Sequence, residues 1–283
     1  MAVSQDQIQA QTQAHARAQD MRERFDAAPL LPSSAVRAFG PTLVVAPHPD
    51  DDVLGCGGTI ALLREHGVPV WVVIASDGAA SHPHSQRFPA SMMRELRAAE
   101  TLEGLAAVGV DRAAVTFLNL PDGAVPQPGT PGADAAIAGA AIQVAVATLA
   151  GLPGVNTVLL PWRRDPHDDH RATWALFTAA LDALDSPVRR IEYPIWLLVH
   201  PGPDDLPEPH EGRLWRRDIA PVLDCKRAAI LAHRSQTTDM IDDDPTGYCL
   251  PPAVLEQFFQ PWEPFIETQP ASANSHPLLG ADA

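Results

Sequence analysis

The sequence has few cysteines and no long hydrophobic run. Its three cysteines, Cys56, Cys225 and Cys249, are scattered without C-x-x-C spacing, which argues against a disulfide framework. No apolar run approaches the roughly 18 residues of a transmembrane helix. The N-terminal residues lack the basic start and apolar stretch of a secretory signal. These absences together predict a cytoplasmic protein without a transmembrane segment.

Basic residues are also scarce. The 283-residue chain has 20 Lys and Arg against 35 Asp and Glu, which gives a formal net charge of −15. Such a surface repels phosphate backbones and anionic lipid, so no nucleic-acid partner is expected. A hydrophobic content of 46% excludes wholesale disorder. The composition therefore predicts a folded protein without a nucleic-acid or membrane-surface role, with homo-oligomerisation left open.

Short apolar runs alternate with stretches of helical periodicity from residue 42 onward. Most of these runs are continuously apolar, as in parallel strands that are covered on both faces. The last run contains Pro194, which predicts an edge or irregular strand. The alternation predicts one α/β domain with a mainly parallel sheet. The candidate strands are residues 42–46, 70–75, 114–118, 157–160 and 191–199, and the candidate helices are residues 55–66, 91–108, 133–149, 169–184 and 221–233.

The two ends of the sequence do not show this alternation of apolar runs and helical periodicity. Residues 1–35 are predicted to form an N-terminal extension that is either helical or flexible. Residues 36–268 are predicted to form the single α/β domain, and residues 269–283 a flexible tail. Two segments rich in proline and glycine, 121–132 and 201–211, predict surface loops within the domain.

A cluster of metal-ligand side chains follows the first predicted strand. The segment APHPDDD at 46–52 contains His48, Asp50, Asp51 and Asp52. Imidazoles and carboxylates are common metal ligands, and neighbouring carboxylates can divide metal binding and water activation between them. Aspartates also cap helices, so a structural role at the start of the next helix is the alternative.

A second cluster, HDDH at 167–170, follows the fourth predicted strand. His167 and His170 are three residues apart, so they share one side of a helical turn. A merely polar helix start is again the alternative. A third polar turn, Ser76-Asp77-Gly78, follows the second predicted strand. Because the carboxyl ends of parallel strands meet at one edge of the sheet, the three segments predict a metal site there.

The glycine run Gly55-Cys56-Gly57-Gly58 admits two interpretations. It invites a dinucleotide-binding hypothesis, but it lacks the G-x-G-x-x-G spacing. A tight turn that lets the helix pack closely on the strand is the favoured interpretation. Cys56 is interpreted as a small buried thiol rather than a nucleophile. A non-catalytic nucleotide- or sugar-binding module stays as an alternative to an enzyme.

Taken together, the motifs resemble those of the PIG-L/LmbE-like zinc-dependent N-deacetylases. The stretch VVAPHPDDDVLGCGG is similar to the A-H-P-D-D-E motif of that family, and HDDH is similar to its H-x-D-H motif. ASDGAAS at 75–81 resembles its T-D-G-x-x-S segment. RAAE at 97–100 and the stretch from Lys226 to Gln236 resemble its R-x-x-E and K…H-x-S-Q elements.

The resemblance implies a Rossmann-like three-layer fold and a metal-dependent hydrolase of amide bonds. Carried over to this sequence, His48, Asp51 and His170 would bind Zn²⁺ or another divalent transition metal. Asp50 would be the general base that takes a proton from the attacking water. Three protein ligands leave zinc an open position, which suits hydrolysis.

The resemblance also implies roles for three further residues. His167 would be a protonated imidazole that stabilises the oxyanion or protonates the leaving amine. Asp169 would orient His167. Arg97 would bind the substrate, with Arg94 as the alternative if the helix register differs.

Two positions depart from the family pattern. Asp52 stands where the family usually has glutamate, so its carboxyl group has a shorter reach. Asp168 stands where proline is commoner, and its charge is expected to raise the pKa of His167. Neither position is an implied metal ligand, so activity is expected to survive both.

The implied substrates are N-acetylated amino sugars, often N-acetylglucosamine joined to another group. The expected reaction releases acetate and a free amine. An amidase acting on a sugar–thiol conjugate is the alternative within enzymes. Trp162 and Trp196 lie near predicted strand ends, where they are expected either to shape the site for the attached group or to belong to the core.

Overall fold

The computed structural model describes residues 5–129, 135–185 and 187–268. The expected tail at 269–283 and residues 130–132 of the first expected loop lie outside these ranges. The strands are β1 (Leu30–Leu31), β2 (Thr42–Ala46), β3 (Val70–Ser76), β4 (Val115–Leu120), β5 (Thr157–Pro161), β6 (Arg189–Tyr193), β7 (Arg213–Asp218) and β8 (Trp262–Glu267). The helices are α1 (Gln5–Ala27), α2 (Asp51–Glu65), α3 (Ala90–Ala107), α4 (Ala135–Ala150), α5 (Asp168–Ala183), α6 (Leu223–Leu231), α7 (Arg234–Thr237) and α8 (Pro252–Phe258).

The strands form one sheet in the order β1-β7-β8-β6-β5-β2-β3-β4. Strands β2 to β6 pair in parallel, whereas β8 is antiparallel to β6 and β7. The predicted α/β class with a mainly parallel sheet is therefore confirmed. β3 lies on one side of β2 and β5 on the other, so the direction of winding reverses there. Open α/β sheets place their ligand crevice at such a point.

Two apolar cores cover the two faces of the sheet. Helices α2, α3 and α6 pack on one face against Val44 and Ala46. Helices α4 and α5 pack on the other face against Leu43 and Val45. Successive side chains of β2 therefore enter opposite cores, as the two-residue period of a strand requires. The result is the expected three-layer arrangement.

The last predicted strand is partly wrong. β6 ends at Tyr193, before Pro194, and lies inside the sheet between β5 and β8. The proline therefore terminates an interior strand rather than marking an edge. Strands β7 and β8 have no counterpart among the predicted strands, because β7 carries three arginines and β8 contains Pro264. Among the described residues, no helix combines the length and apolar character needed to cross a membrane.

The glycine run lies inside α2 rather than in a turn before it. The helix begins at Asp51, so the predicted start at residue 55 is wrong. A methyl group on Gly55 would lie 2.3 Å from Cδ2 of Tyr193, and one on Gly58 would lie 2.6 Å from Cδ1 of Ile219. The expected close packing of this helix is confirmed, because neither glycine has room for a side chain.

The N-terminal segment is helical and is attached to the sheet. Met21 and Phe25 of α1 are fully buried, and Arg22 Nη1 donates a hydrogen bond to the carbonyl oxygen of Leu198 at 2.7 Å. After the helix, β1 pairs with β7. The sheet therefore extends across the expected domain boundary at residue 35.

Candidate active site

The turn between β2 and α2 holds Asp50 in a strained conformation. Its φ angle is +136°, a region that costs a non-glycine residue about 1–3 kcal/mol. Its carbonyl oxygen accepts hydrogen bonds from the backbone N–H groups of Val53 and Leu54 at 3.1 and 2.9 Å. The first turn of the helix therefore fixes the position of Asp50 at the carboxyl end of β2. Such strain is found preferentially at functional sites.

Asp51 joins the two histidines that were expected to bind metal with it. Its Oδ2 atom lies 3.1 Å from His48 Nδ1 and 3.2 Å from His170 Nε2. The same oxygen accepts a hydrogen bond from the backbone N–H of His48 at 2.9 Å. His170 Nε2 is buried and has no hydrogen-bond partner of good geometry among the described residues. The structure therefore brings these three residues to one point.

Asp165 lies behind His170. Its Oδ1 atom is 3.2 Å from His170 Nδ1, and both side chains are fully buried. Its Oδ2 atom accepts hydrogen bonds from the backbone N–H groups of Ile195 and Trp196 at 3.1 and 3.0 Å. A carboxylate behind an imidazole ligand fixes the ring orientation and tautomer. The only sequence signal for Asp165 is its place at the start of the DPHDDH segment.

Asp169 lies between His48 and His167 and contacts both. Its Oδ2 atom lies 3.0 Å from His48 Nε2, and the carboxylate also accepts hydrogen bonds from the N–H groups of Gly123 at 2.7 Å and Val125 at 3.0 Å. Asp169 contacts His167 only through its own backbone N–H, which donates to Nδ1 at 3.2 Å. The carboxylate is therefore engaged with His48 and the loop at Gly123, and the orientation of His167 by Asp169 stays a prediction.

Asp122 belongs to the same cluster, although the sequence motifs do not single it out. Its Oδ1 atom lies 3.3 Å from His48 Nε2, and its Oδ2 atom accepts a hydrogen bond from the N–H of Ala80 at 2.8 Å. Burial acts to raise the pKa of Asp122, but the contact with His48 outweighs it and lowers the pKa to about 2. The signal available in the sequence is its position directly after β4, at the same edge of the sheet.

His167 completes a group of three imidazoles. Its ring centroid lies 4.7 Å from that of His48 and 5.0 Å from that of His170. Burial and these two neighbouring rings lower the pKa of His167 to about 4. The ring is therefore neutral at neutral pH, which differs from the protonated imidazole that the resemblance implied. Asp168 does not reverse this, because it is exposed and pairs with Arg171.

Arg97 is buried beneath the strained turn. Its Nη2 atom donates a hydrogen bond to the carbonyl oxygen of Pro49 at 2.7 Å and lies 3.2 Å from Asp50 Oδ2. Burial raises the pKa of Asp50 to about 7, and the charge of Arg97 acts against that rise. The guanidinium is therefore engaged with the protein. Arg94 is engaged too, because it pairs with Asp77, but its side chain is half-exposed. Substrate binding by Arg97 stays a prediction.

Two further expectations near the site concern Asp52 and Cys56. Both side chains are fully buried, which confirms Cys56 as a buried thiol. Burial raises the pKa of Cys56, so its thiol is a poor nucleophile. Neither carboxyl oxygen of Asp52 has a hydrogen-bond partner within the described part of the chain. Burial and the charge of Asp50 raise the pKa of Asp52 to about 8.

The two tryptophans differ in accessibility. Trp162 is fully buried, and its Nε1 donates a hydrogen bond to the carbonyl oxygen of Asp205 at 2.8 Å. Trp162 therefore belongs to the core, which was one of the two expectations for it. Trp196 is partly exposed, and its ring meets that of Tyr248.

The cluster offers suitable donors for a divalent metal. His48, His167 and His170 have ligand atoms within 4.8 Å of one another, and so do His48, Asp122 and Asp169. Imidazole nitrogens and carboxylate oxygens are ligands that zinc and related transition metals accept. The unpartnered Nε2 atom of His170 next to the Asp51 carboxylate fits such an ion. The donor chemistry therefore agrees with a catalytic metal centre.

A family comparison agrees with this site. The family model for GlcNAc-PI de-N-acetylase, PIG-L, matches residues 43–181, which include both His/Asp segments. The chain belongs to the PIG-L family. This chain is a hydrolase of the metal-dependent N-deacetylase family. A comparison with curated protein sequences found no match.

Solved structures share the PIG-L fold seen in this chain. N,N′-diacetylchitobiose deacetylase from Pyrococcus horikoshii is 24% identical, with a TM-score of 0.50 over 71% of this chain and 72% of that one. The zinc-inhibited form of teicoplanin deacetylase Orf2 is 20% identical, with a TM-score of 0.56 over 70% and 85%. GalB, a 4-carboxy-2-hydroxymuconate hydratase from Pseudomonas putida KT2440, is 22% identical, with a TM-score of 0.51 over 70% and 80%. At these identities the likeness establishes the fold alone.

Proposed function

We propose that this PIG-L member hydrolyses the acetamide of an N-acetylated amino sugar, with zinc as the metal. The observation that carries the proposal is the convergence of His48, Asp51 and His170 beside the buried carboxyl group of Asp50. In the proposed reaction, water attacks the acetamide carbonyl, the C–N bond breaks, and acetate and a free amine leave. A cytoplasmic location stays a prediction from the sequence.

His48, Asp51 and His170 would hold the metal. Asp51 is preferred to His167 as the third ligand because one of its oxygens lies within 3.2 Å of both other ligands. When bound, zinc acts as a Lewis acid that polarises the carbonyl and lowers the pKa of water. Asp165 would keep the His170 ring in position from behind, and Asp169 and Asp122 would do the same for His48.

Asp50 would move the proton. Its raised pKa of about 7 suits a group that accepts a proton from water and then returns one to the leaving nitrogen at neutral pH. Arg97 keeps this carboxyl group in place through its contacts with Pro49 and Asp50. The strained backbone of Asp50 also limits the positions that its side chain can adopt.

His167 would stabilise the oxyanion as a neutral ring. Its Nδ1 atom accepts the hydrogen bond from Asp169, so in the neutral ring the proton is on Nε2. An Nε2–H group can donate to the oxygen on which negative charge develops. This role does not need the protonated imidazole that the family resemblance implied.

The proposed substrate class rests on the relatives. The family model and two of the similar structures carry names that refer to de-N-acetylation of GlcNAc-PI, chitobiose and teicoplanin. Because these substrates differ, the group attached to the amino sugar in this chain has to be measured. A sugar–thiol conjugate is the second substrate class to include.

The test measures amine release from N-acetylglucosamine and its glycosides by metal-stripped protein, with and without added zinc. The variant Asp50→Asn should bind zinc stoichiometrically and lose roughly 10²–10⁴-fold in turnover, because the proton acceptor is gone. Asp168→Asn is the matched control, since this exposed aspartate pairs with Arg171 outside the cluster. It should keep nearly all activity.

Near-normal turnover by Asp50→Asn would show that Asp50 is not the base. Zinc binding without amine release from any glycoside would refute the amino-sugar substrate and favour the sugar–thiol amide. If zinc neither binds nor activates, the chain is not a zinc hydrolase, and a thermal-shift screen with nucleotides and sugars would test the binding-module alternative.

A further inference from the structure

Two aromatic side chains form a corner beside the proposed active site. The rings of Trp196 and Tyr248 have centroids 5.8 Å apart and planes at 79° to each other. Tyr248 is 43% exposed, although its ring contacts Trp196. The two rings therefore present an accessible L-shaped apolar surface, here called the aromatic corner.

The indole side of the corner is tied to the metal cluster. One oxygen of Asp165 accepts the backbone N–H of Trp196 at 3.0 Å, and the other lies 3.2 Å from Nδ1 of His170. The carboxylate is completely buried, so it has no alternative partner in solvent. The Asp165 side chain thus contacts both His170, an expected metal ligand, and the backbone of Trp196.

Tyr248, on the other side of the corner, is also connected to the His/Asp cluster through hydrogen bonds. Tyr248 donates its backbone N–H to the carbonyl oxygen of Ser81 at 2.8 Å. Ala80, which precedes Ser81, donates its backbone N–H to Oδ2 of Asp122. Oδ1 of Asp122 lies 3.3 Å from Nε2 of His48. In addition to burial, the charge of Asp50 raises the pKa of Tyr248, so the phenol is within electrostatic reach of the proposed base.

Further contacts hold the corner from outside. The His200 ring lies 5.1 Å from that of Trp196. Arg22 of α1 donates to the carbonyl oxygen of Leu198, and Arg17 donates to that of Pro201 at 2.9 Å. A surface held on both sides loses little freedom when it binds a ligand, which favours affinity.

We propose that the aromatic corner binds a second, uncharged sugar ring attached to the N-acetylated sugar whose amide is cleaved. This inference rests on the proposed function and names the group attached to the substrate. An aromatic face packs against the apolar C–H face of a pyranose, and the second ring of the corner closes against its edge. The charge of Asp50 acts on the Tyr248 ring of this corner, and it would repel a phosphate-linked group.

The test compares N-acetylglucosamine with N,N′-diacetylchitobiose, which carries a second sugar ring. Wild-type protein should have a higher kcat/KM for the disaccharide, by roughly 3- to 10-fold, the range expected for one aromatic stacking contact. Trp196→Leu should lose this preference through a higher KM for the disaccharide. Tyr248→Phe should retain the preference, because the ring remains, and Tyr248→Leu should lose it.

The matched control is Trp71→Leu. Trp71 is also partly exposed, but it lies near the start of β3, at the opposite edge of the sheet. The Trp71→Leu substitution should not alter the preference for the disaccharide. Calorimetric titration of metal-free protein with the disaccharide gives a readout independent of turnover. In that titration, Trp196→Leu should weaken binding and Trp71→Leu should not.

The outcomes separate this inference from the proposed function. Deacetylation of both sugars with no effect of Trp196→Leu on preference or binding would refute the subsite alone. No deacetylation by wild type, with disaccharide binding that Trp196→Leu weakens, would refute the proposed function and support the subsite. A stronger preference for a sugar phosphate than for the disaccharide would overturn the choice of an uncharged ring.

Discussion

At the scale of single residues, several buried ionisable groups lie outside the proposed reaction. His233 is the clearest of them. Its ring is 1% exposed, and neither of its nitrogens has a hydrogen-bond partner among the described residues. Burial and the charge of Arg97 lower the pKa of His233 to about 3. The folded protein therefore keeps this ring neutral over the whole range in which an unfolded histidine becomes charged.

This difference predicts a pH-dependent stability. The unfolded chain takes up a proton on His233 below its ordinary pKa of about 6.5, and the folded chain takes it up only near pH 3. The contribution of His233 to stability is therefore present above pH 6.5 and is lost as the pH falls towards 3, by up to about 1.4 kcal/mol per pH unit. Denaturant unfolding of metal-free protein between pH 4 and 7 measures this loss.

His233→Asn should show a flatter dependence on pH over that range, because it removes the titrating group. His210→Asn is the control, since His210 is exposed. Equal pH dependence in His233→Asn and wild type would contradict the buried neutral ring.

At the scale of elements, α2 carries both the proposed site and an unusual set of packing contacts. Glu263 of β8 accepts the backbone N–H groups of Gly58 and Thr59 at 2.7 and 2.8 Å. It also pairs with Lys226, the only lysine in the sequence, at 2.8 Å. The helix is therefore anchored at its middle by buried polar contacts, while its first turn holds the aspartates of the site.

Two helical glycines predict opposite effects for the same substitution. Gly55→Ala in α2 should destabilise the protein by roughly 1–3 kcal/mol, because the new methyl group would overlap the buried Tyr193 ring. Gly139→Ala in α4 should stabilise by up to about 1 kcal/mol, since nothing lies within 4 Å and alanine favours helix. Chemical denaturation measures both. A stable Gly55→Ala protein would show that α2 can move away from β6.

At the scale of the whole molecule, the reversal of winding at β2 gathers negative charge in one place. The ends of β2, β4 and β5 bring together five carboxyl groups around three imidazoles, namely Asp50, Asp51, Asp122, Asp165 and Asp169. Four of these carboxyl groups contact a histidine and Asp50 pairs with Arg97. A divalent cation would reduce the remaining repulsion, so metal binding and folding should be coupled.

This coupling predicts that zinc stabilises the fold. At a free zinc concentration of 100 times Kd, the gain is about 2.7 kcal/mol, which corresponds to an increase in Tm of roughly 5 °C for a chain of this size. Thermal unfolding of metal-stripped protein with added zinc measures the shift. His170→Asn should abolish most of it, while His210→Asn should preserve it. A shift of the same size in both variants would place the bound zinc elsewhere.

Much of the candidate site can be predicted from the sequence. The two His/Asp clusters at 46–52 and 167–170 stand out because they follow two apolar strands whose carboxyl ends share one edge of the sheet. The choice of His48, Asp51 and His170 within these clusters comes from the family resemblance. Asp122 and Asp165 receive no role from the sequence patterns, because a single aspartate in a loop carries no periodic signal. The direction of the Asp169 carboxylate is also not predictable, since it depends on the loop at Gly123, 46 residues away.

Local patterns in the sequence are sufficient to predict the α/β class, the strands β2 to β5 and the grouping of the histidines and aspartates. Apolar periodicity and strand ends are properties of neighbouring residues, so no distant contact is needed to specify them. The completion of the sheet by β7 and β8, the position of the glycines within α2 and the pairing of each carboxylate with its imidazole come from the folded chain instead. These features depend on contacts between segments far apart in the chain, such as Tyr193 on Gly55, whose distances no local pattern encodes.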